Sequence, residues 1–369
     1  MSGRGVRTIG VVAPGHPAVL DDTEPEPGPG QAWVTTEYSG VSAGTEVALV
    51  RGTDPHHRLH WDPDVRSFSR GPVASYPVRT LGYMEVGLVA ESRADGLAEG
   101  ARVAMAYGHR TGRCADPATM HVIPVPEDLD PLLGVYLAQM GPICVNGLLH
   151  ATAQFAGPGG GIGDGVRDRH VLVTGAGVIG LLSAMLAVRH GAADVVVEDP
   201  SPERRAVAEA LGLATVDADG AWQAVKQRWR HGAGDAGADL VLQCRGHDSA
   251  LATGLKALRP QGVVVDLGFY QGGAEAVRLG EEFHHNGLSV VCAQISRVPR
   301  GMAADWPRPA LAGVVLDLLR ERGDDVRRHL VTDVVPFDDG PALLADLAGR
   351  RLPAPPLQAV LRFGPQGTP

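Results

Sequence analysis

Lysine is nearly missing from this 369-residue chain: of its 33 basic residues only Lys226 and Lys256 are lysines. Cysteine is scarce as well. Cys114, Cys144, Cys244 and Cys292 stand far apart and form no CxxC pair, which excludes a disulfide framework. Such thiols read as small hydrophobes in a reducing compartment, so a cytoplasmic protein is expected. No apolar run reaches the ~18 residues that cross a bilayer. The opening MSGRGVRTIGVVAPG has no uninterrupted apolar stretch ahead of a cleavage site, so no secretory signal is expected. Positive charge is in deficit: 42 acidic residues leave a formal net charge of −9. That balance argues against nucleic acid or an anionic membrane as partner and leaves a small molecule. The 49 glycines and 28 prolines fall short of the roughly 25–30% share that marks low-complexity chains. At about 100–200 residues per domain, the length predicts two domains with room for buried cores.

What is present divides into two styles of chain. Up to about residue 135, short apolar runs (Ala32–Thr36, Val86–Glu91, Arg102–Tyr107, Met120–Val125) are separated by Gly, Pro and Asp, the pattern of a β-rich domain. From His170 strands and helices alternate. His170–Thr174, Asp194–Glu198, Ala238–Gln243 and Gly262–Leu267 read as strands; Gly175–Gly191, Arg204–Gly212 and Ser249–Leu258 carry helical patterns. Alternation of that kind predicts βαβ units and an α/β domain with a doubly wound parallel sheet. The boundaries expected are 1–146, 147–296 and 297–369. The last stretch, with two helical segments and a strand at Gln358–Phe363, is too short for its own core and is expected to complete the first domain. The glycine run GPGGGIGDG at 157–165 precedes its strand and lacks phosphate-loop spacing, so it reads as a flexible surface linker.

One motif carries chemistry. Gly175-Ala176-Gly177-Val178-Ile179-Gly180 follows the strand HVLVT directly and opens a helix, the setting that makes G-x-G-x-x-G a dinucleotide signature. Gly175 permits the tight turn, Gly177 lets the backbone approach a pyrophosphate, and Gly180 lets helix and strand pack closely. The helix start presents free N–H groups to the phosphates. Asp199 stands 19 residues beyond Gly180, where a carboxylate holds the ribose hydroxyls and disfavours a 2′-phosphate, so NAD is expected. Arg204 would cover the adenine; Arg204 and Arg205 together keep NADP open.

This layout resembles the medium-chain dehydrogenase/reductase superfamily, that of the zinc alcohol and polyol dehydrogenases, along nearly the whole chain. The markers are Gly40-Val41-Ser42-Ala43-Gly44-Thr45-Glu46, Leu81-Gly82-Tyr83, Gly175–Gly180, Glu198-Asp199-Pro200-Ser201-Pro202-Glu203-Arg204, and Glu282-Phe283-His284-His285-Asn286. The resemblance implies a GroES-like β-rich catalytic domain, a Rossmann nucleotide domain and an oxidoreductase activity. It also implies that Leu267-Gly268-Phe269 and the segment ending at Gln294 hold the carboxamide of the cofactor through backbone groups. Finally, it implies a homodimer joined through the apolar strand Leu288–Cys292, with Glu282, His284 and His285 near that interface.

The departures are as informative. At the family's zinc-ligand positions this chain has Ala43, Tyr83-Met84 and, near the domain junction, Pro142, with Cys144 two residues out of register. Three N, S or carboxylate ligands cannot be assembled from these. The four cysteines of the family's structural zinc lobe are missing too, so no metal is expected. His56 and His57 are adjacent and on a strand would point to opposite faces, and no Cys or paired carboxylate stands near them or His60; the three read as loop residues that contact polar substrate or solvent. A carbonyl reduced without a Lewis acid needs hydrogen-bond donors for its developing oxyanion. The resemblance places Thr45 at the family's hydroxyl relay, Tyr83 at the metal position, and Tyr107 and His109 at a strand end lining the substrate pocket, with Glu46 anchoring the loop. The expected reaction is zinc-independent hydride transfer between a nicotinamide and a carbonyl, alcohol or polarised enone. The polar stretch Asp54–Arg70 suggests a sugar- or cyclitol-like substrate. A quinone reductase, which would need a less polar pocket than HHRLHWDPD, and a non-catalytic nucleotide sensor are the alternatives.

Overall fold

The computed structural model describes residues 3–364. Two compact units divide them: one runs to Gln139 and resumes at Val331, the other spans Met140–Leu330. The first unit opens with an antiparallel hairpin, β1 (Gly3–Ala13) and β2 (His16–Pro25), which pairs Ile9 with Val19. Then come β3 (Ala32–Gly40), the short helix α1 (Thr45–Arg51), β4 (Glu85–Ser92), β5 (Arg102–Met105), β6 (Gly112–Ala115) and β7 (Ile123–Val125).

The second unit begins with α2 (Met140–Phe155), which leads to β8 (His170–Thr174), α3 (Val178–Arg189), β9 (Asp194–Glu198) and α4 (Pro202–Ala210). It continues through β10 (Ala214–Val216), α5 (Ala221–Arg228), β11 (Ala238–Gln243), α6 (Asp248–Ala257), β12 (Leu258–Asp266), β13 (Ser289–Cys292) and α7 (Arg308–Asp325). Its main sheet has six strands, all parallel, in the order β10-β9-β8-β11-β12-β13. The chain winds outward from β8 in both directions, which creates a switch point between β8 and β11 where α/β sheets bind ligands. Near-continuous valine and leucine in these strands follows from burial on both faces; Val171, Leu172 and Val173 are fully buried.

The chain then returns to the first unit as β14 (Val331–Pro336), α8 (Gly340–Gly349) and β15 (Gln358–Arg362). The sheet there runs β14-β15-β3-β4-β5-β7, with β6 also pairing β3. Ile9, Val11, Val50, Phe337, Leu344 and Leu361 form one core cluster, and Val34, Val89, Val103 and Met105 another. The chain rejoins the first unit from Val331 on, not from 297. Residues 297–330 belong to the nucleotide unit because α7 buries Leu311, Ala312, Val315, Leu318 and Leu319 and packs against α2. Likewise α2 from Met140 belongs to the second unit, so the first boundary moves back from 146/147 to 139/140.

The glycine run at 157–165 is a packed loop, contrary to the flexible linker expected. Gly165 N–H donates to Thr152 Oγ1 at 3.1 Å, and Thr152 Oγ1 donates to Gly161 O at 3.1 Å. A Cβ on Gly165 would lie 2.3 Å from Thr152 N, so only glycine fits against α2 there. No helix among the described residues is long and apolar enough to cross a membrane.

Candidate active site

In the second unit the turn after β8 has the shape of a phosphate cradle. Gly175 has φ +103°, a region that costs a side-chain-bearing residue strain. A Cβ on Gly180 would lie 1.7 Å from Gly175 O, so α3 can sit this close to β8 only with glycine there. Gly177 caps α3 without a side-chain bond, leaving the N–H groups of Val178 and Ile179 without helical partners. A Cβ on Gly177 would meet nothing within 4 Å: the space before the helix start is open to a pyrophosphate.

Asp199 is buried beside this turn. Its Oδ2 accepts the Ala176 N–H at 2.8 Å and its Oδ1 the Ser201 N–H at 2.9 Å, which aims the carboxylate along the first turn of α4. Arg204 is half-buried in that first turn, its N–H capped by Ser201 Oγ at 3.2 Å. Arg205 is committed elsewhere, to the Asp199 carbonyl at 2.6 Å and to Asp217 at 2.7 Å. Glu198, which the motif reading passed over, ends β9 with its Oε2 buried and unpartnered. Burial, reinforced by Asp199 and Asp217 and opposed by Arg245, pushes its carboxyl up to about 7.

Beyond β12, Leu267 N–H donates to Gln243 O and Gly268 N–H to Asp266 Oδ1, each at 2.8 Å. Phe269 and Gln294 are exposed, and Gln294 Oε1 accepts the Ser296 N–H at 2.8 Å. Val290 on the edge strand β13 is 41% exposed, and His284 and His285 are exposed just before it.

The first unit gathers a different set of groups. Tyr83, half-buried after Leu81-Gly82, donates its hydroxyl to Ser42 Oγ at 2.6 Å. Thr45, at the start of α1, also acts on the Tyr83 phenol and lowers its pKa. Burial raises the phenol above its ordinary value, against the lowering effect of these two hydroxyls. Ser42 N–H donates to Glu46 Oε1 at 2.9 Å, and Glu46 Oε2 lies 2.8 Å from His109 Nε2. His109 Nδ1 is 2.6 Å from Ser39 Oγ, which donates to Glu85 Oε1 at 2.9 Å. Glu85 Oε2 accepts the Tyr107 N–H at 2.7 Å.

An imidazolium that donates Nε2–H to Glu46 and Nδ1–H to Ser39, which passes its hydroxyl hydrogen to Glu85, satisfies every member. Burial alone would lower the His109 pKa, but the charge and hydrogen bond of Glu46, aided by Glu85, outweigh it and raise it. Glu85 moves up as well, chiefly by burial and against the pull of His109. Gly82 makes this packing possible: with φ +93°, a Cβ there would come within 2.7 Å of the His109 ring.

Two expectations for this unit change. His109 is fully buried and does not line a pocket; it braces Glu46 from behind. Tyr107 is packed among Val89, Val103 and Met105, with its hydroxyl 2.7 Å from Thr36 Oγ1, so it too sits in the core. Ser39, Ser42 and Glu85 were missed because short polar residues inside β-rich segments carry no periodic signal. The spacing of Ser42 and Glu46 across a helix start was the one available clue. The histidines of the 54–60 loop are occupied locally: His56 pairs with Asp54 at 2.8 Å, His57 stacks on Tyr76, and His60 Nδ1 meets Pro72 O at 3.2 Å.

The donors near Tyr83 do not fit a catalytic zinc. Ala43 is an exposed methyl, Met84 is fully buried against Gly40, and Pro142 lies in α2 of the other unit. No group of three His, Cys, Asp or Glu donor atoms converges at Tyr83 among the described residues.

Comparison with known proteins gives the same picture at family level. A family model described as zinc-binding dehydrogenase matches residues 178–312. The D-guloside 3-dehydrogenase of Escherichia coli K12 is 29% identical over 206 residues, 53% of this chain and 55% of that protein. The L-threonine 3-dehydrogenase of Pyrococcus horikoshii is 37% identical over 107 residues, 29% of this chain and 30% of that protein. The chain thus spans about half the length of the first of these curated relatives. Among solved structures, galactitol-1-phosphate dehydrogenase of Escherichia coli superposes with a TM-score of 0.70 at 19% identity, covering 96% of this chain and 99% of its own. A Sinorhizobium meliloti 1021 protein described as a zinc-binding dehydrogenase, bound to NADP, gives 0.71 at 20%, covering 98% and 100%. At that identity the likeness is one of fold.

Proposed function

Because this chain belongs to the medium-chain dehydrogenase/reductase superfamily, we propose that it is an NAD(P)-dependent oxidoreductase that works without a catalytic zinc. Its substrate is a polyhydroxylated, sugar- or cyclitol-like alcohol or the matching ketone. The observation that carries this reading is the hydroxyl pair Tyr83–Ser42, 2.6 Å apart, at the position where zinc members hold metal. When bound, a nicotinamide supplies or accepts the hydride; the turn at Gly175–Gly180 with Asp199 would hold its pyrophosphate and ribose, and the backbone of Leu267–Phe269 and Gln294 its carboxamide.

The remaining work falls to this chain's own side chains. A carbonyl oxygen that gains charge needs a proton and a stabilising donor. Tyr83, with its phenol raised by burial, stays protonated at neutral pH and turns its single O–H from Ser42 to that oxygen. Ser42 and Thr45 then hydrogen-bond the phenolate left behind. Glu46 fixes Ser42 through its backbone N–H, and His109 fixes Glu46, so the donor pair stays aimed without a metal. Asp199 and Glu198 together place negative charge beside the ribose, which favours NAD while leaving NADP a weaker ligand.

The same reading makes the protein a cytoplasmic homodimer, in which the exposed strand β13 pairs with its counterpart, since an unpaired apolar edge invites association. The test is turnover of a polyol, ketone, enone and quinone panel with each nicotinamide, before and after chelation. Activity on polyols or their ketones that survives chelation supports the reading. Activity lost on chelation and restored by zinc, or confined to quinones, overturns it.

A further inference from the structure

A second polar cluster lies in the nucleotide unit, at the end of the sheet opposite the Gly175 turn. His170 opens β8, Asp239 is the second residue of β11, and His231 sits in the short antiparallel pair formed by Arg230–Gly232 and Asp235–Ala236. One donor atom from each lies within 4.8 Å of the others. His170 Nδ1 is 3.3 Å from Asp239 Oδ2, yet it is buried and makes no hydrogen bond. Two donors that are close but not bonded to each other are arranged as ligands of one ion: bonds of about 2.0–2.2 Å at tetrahedral angles separate neighbouring donors by roughly 3.2–3.6 Å.

The surroundings orient each donor. Asp239 Oδ2 also accepts the His170 N–H at 2.9 Å, and Arg259 holds Asp239 Oδ1 at 2.8 Å, so Oδ2 is turned toward the histidines. His231 Nε2 donates to Gly237 O at 3.0 Å, which leaves Nδ1 with its lone pair, the outer-shell bond that metal-bound histidines make. The ring of Trp229, 5.3 Å from that of His170, closes one side, and Trp229 is itself buried. Arg259 is balanced by Asp235, so the cluster keeps the net negative charge of one carboxylate.

We infer that His170, His231 and Asp239 form a binding site for one first-row divalent ion of the zinc class, with water completing the shell. Two imidazoles and one carboxylate suit zinc, cobalt or nickel and not magnesium or calcium, which take oxygen. The ion would tie the starts of β8 and β11 to the loop after α5, at the other end of the sheet from the Gly175 turn.

The test uses untagged full-length protein, stripped with chelator and titrated with cobalt(II), followed by visible absorption and equilibrium dialysis. One cobalt per chain with ligand-field bands, displaced by zinc, is expected. His231→Gln and His170→Gln should each weaken binding at least tenfold, while their melting curves in chelator match the native protein. Tyr83→Phe should bind cobalt as the native protein does. Absence of saturable binding, or binding equal in native and both histidine variants, overturns the site. Loss of cobalt in Tyr83→Phe would instead put the metal in the first unit and count against the zinc-free reaction as well as against this site. Turnover that survives chelation together with failed cobalt binding sinks only this inference.

Discussion

The two chemically important regions of this molecule are built by opposite means. The turn after β8 is made of backbone: glycines remove Cβ atoms where the chain must bend at Gly175 and where α3 must touch β8 at Gly180, and N–H groups are what it presents. The cluster around Tyr83 is made of side chains: a phenol, three hydroxyls, two carboxylates and an imidazole, each holding the next. Backbone sites tolerate almost no change at the glycines but ignore much of the neighbouring sequence. Side-chain sites can be rebuilt for new chemistry. That contrast fits a chain that keeps its glycine turn and carries Ala43 and Tyr83 at positions that the family resemblance assigns to metal.

Substitutions can break the comparison at either end, and the largest effect belongs to the backbone site. Gly180→Val places branched carbons where a single Cβ already lies 1.7 Å from a backbone oxygen. Overpacking of this kind costs about 1–3 kcal/mol or more, and α3 must also move off the phosphates. Nucleotide affinity measured by NADH fluorescence should fall more than 100-fold, with a lowered melting temperature. Native affinity would show that the turn does not bind the cofactor.

Next come the side-chain donors. Removing one oxyanion donor typically costs about 10²–10³ in rate, or roughly 2.7–4 kcal/mol. Tyr83→Phe and Thr45→Val should each lower kcat at least tenfold with NADH affinity unchanged. Tyr107→Phe, whose hydroxyl is used up on Thr36, should leave kcat within twofold of native. Equal losses for Tyr83 and Tyr107 variants would mean a general packing effect and not proton donation.

A smaller effect is expected at the ribose end. NAD(H) should bind several-fold tighter than NADP(H), and Asp199→Ala should narrow the gap. Because Glu198 titrates near neutrality, with a carboxyl pushed up to about 7, deprotonation adds negative charge beside the ribose as pH rises. NADP(H) affinity should therefore decline from pH 6 to 8 more than NAD(H) affinity, and Glu198→Gln should flatten the difference. Paired titrations at the two pH values decide this; tighter NADP(H) binding by native protein would contradict it.

The mildest effect is on stability against pH. His109 and Glu85 both have raised pKa values in the folded protein. Each therefore holds its proton more tightly when folded, so the stability they add is complete at low pH and is lost as pH climbs through the folded values. The melting temperature should drift down on the alkaline side of neutrality, and His109→Gln should remove part of that drift while lowering stability throughout. A flat profile for the native protein would show that the imidazolium is not what holds Glu46.

Much of the fold was legible because it is periodic. Strands β8, β9 and β11 match their apolar runs residue for residue, since the middle of a parallel strand buried on both faces is apolar. Helices α3, α4 and α6 were found to within a few residues. The hairpin β1–β2 was not, because its partly exposed strands mix charged and apolar residues without a clean alternation. Segment 297–330 was assigned to the wrong unit for a related reason: its apolar face shows that it packs, but not on what.

For the site, the division follows the range over which the physics acts. The turn Gly175–Gly180 and Asp199 could be named from the chain alone, since a tight turn, a helix start and the next strand end are local events with strict residue requirements. Tyr83 lies on a different segment from Ser42 and Thr45, and their contacts exist only because the β3–α1 junction and the Gly82 turn converge. The sequence by itself determined the α/β architecture and the glycine turn after β8, and it set Ala43, Tyr83 and Pro142 at the positions that the family resemblance assigns to metal. Only the tertiary structure decided that His109 is a buried brace, that Tyr107 belongs to the core and that His170, His231 and Asp239 meet. A charge or hydroxyl has no preferred partner until folding removes water from around it and leaves one group within reach.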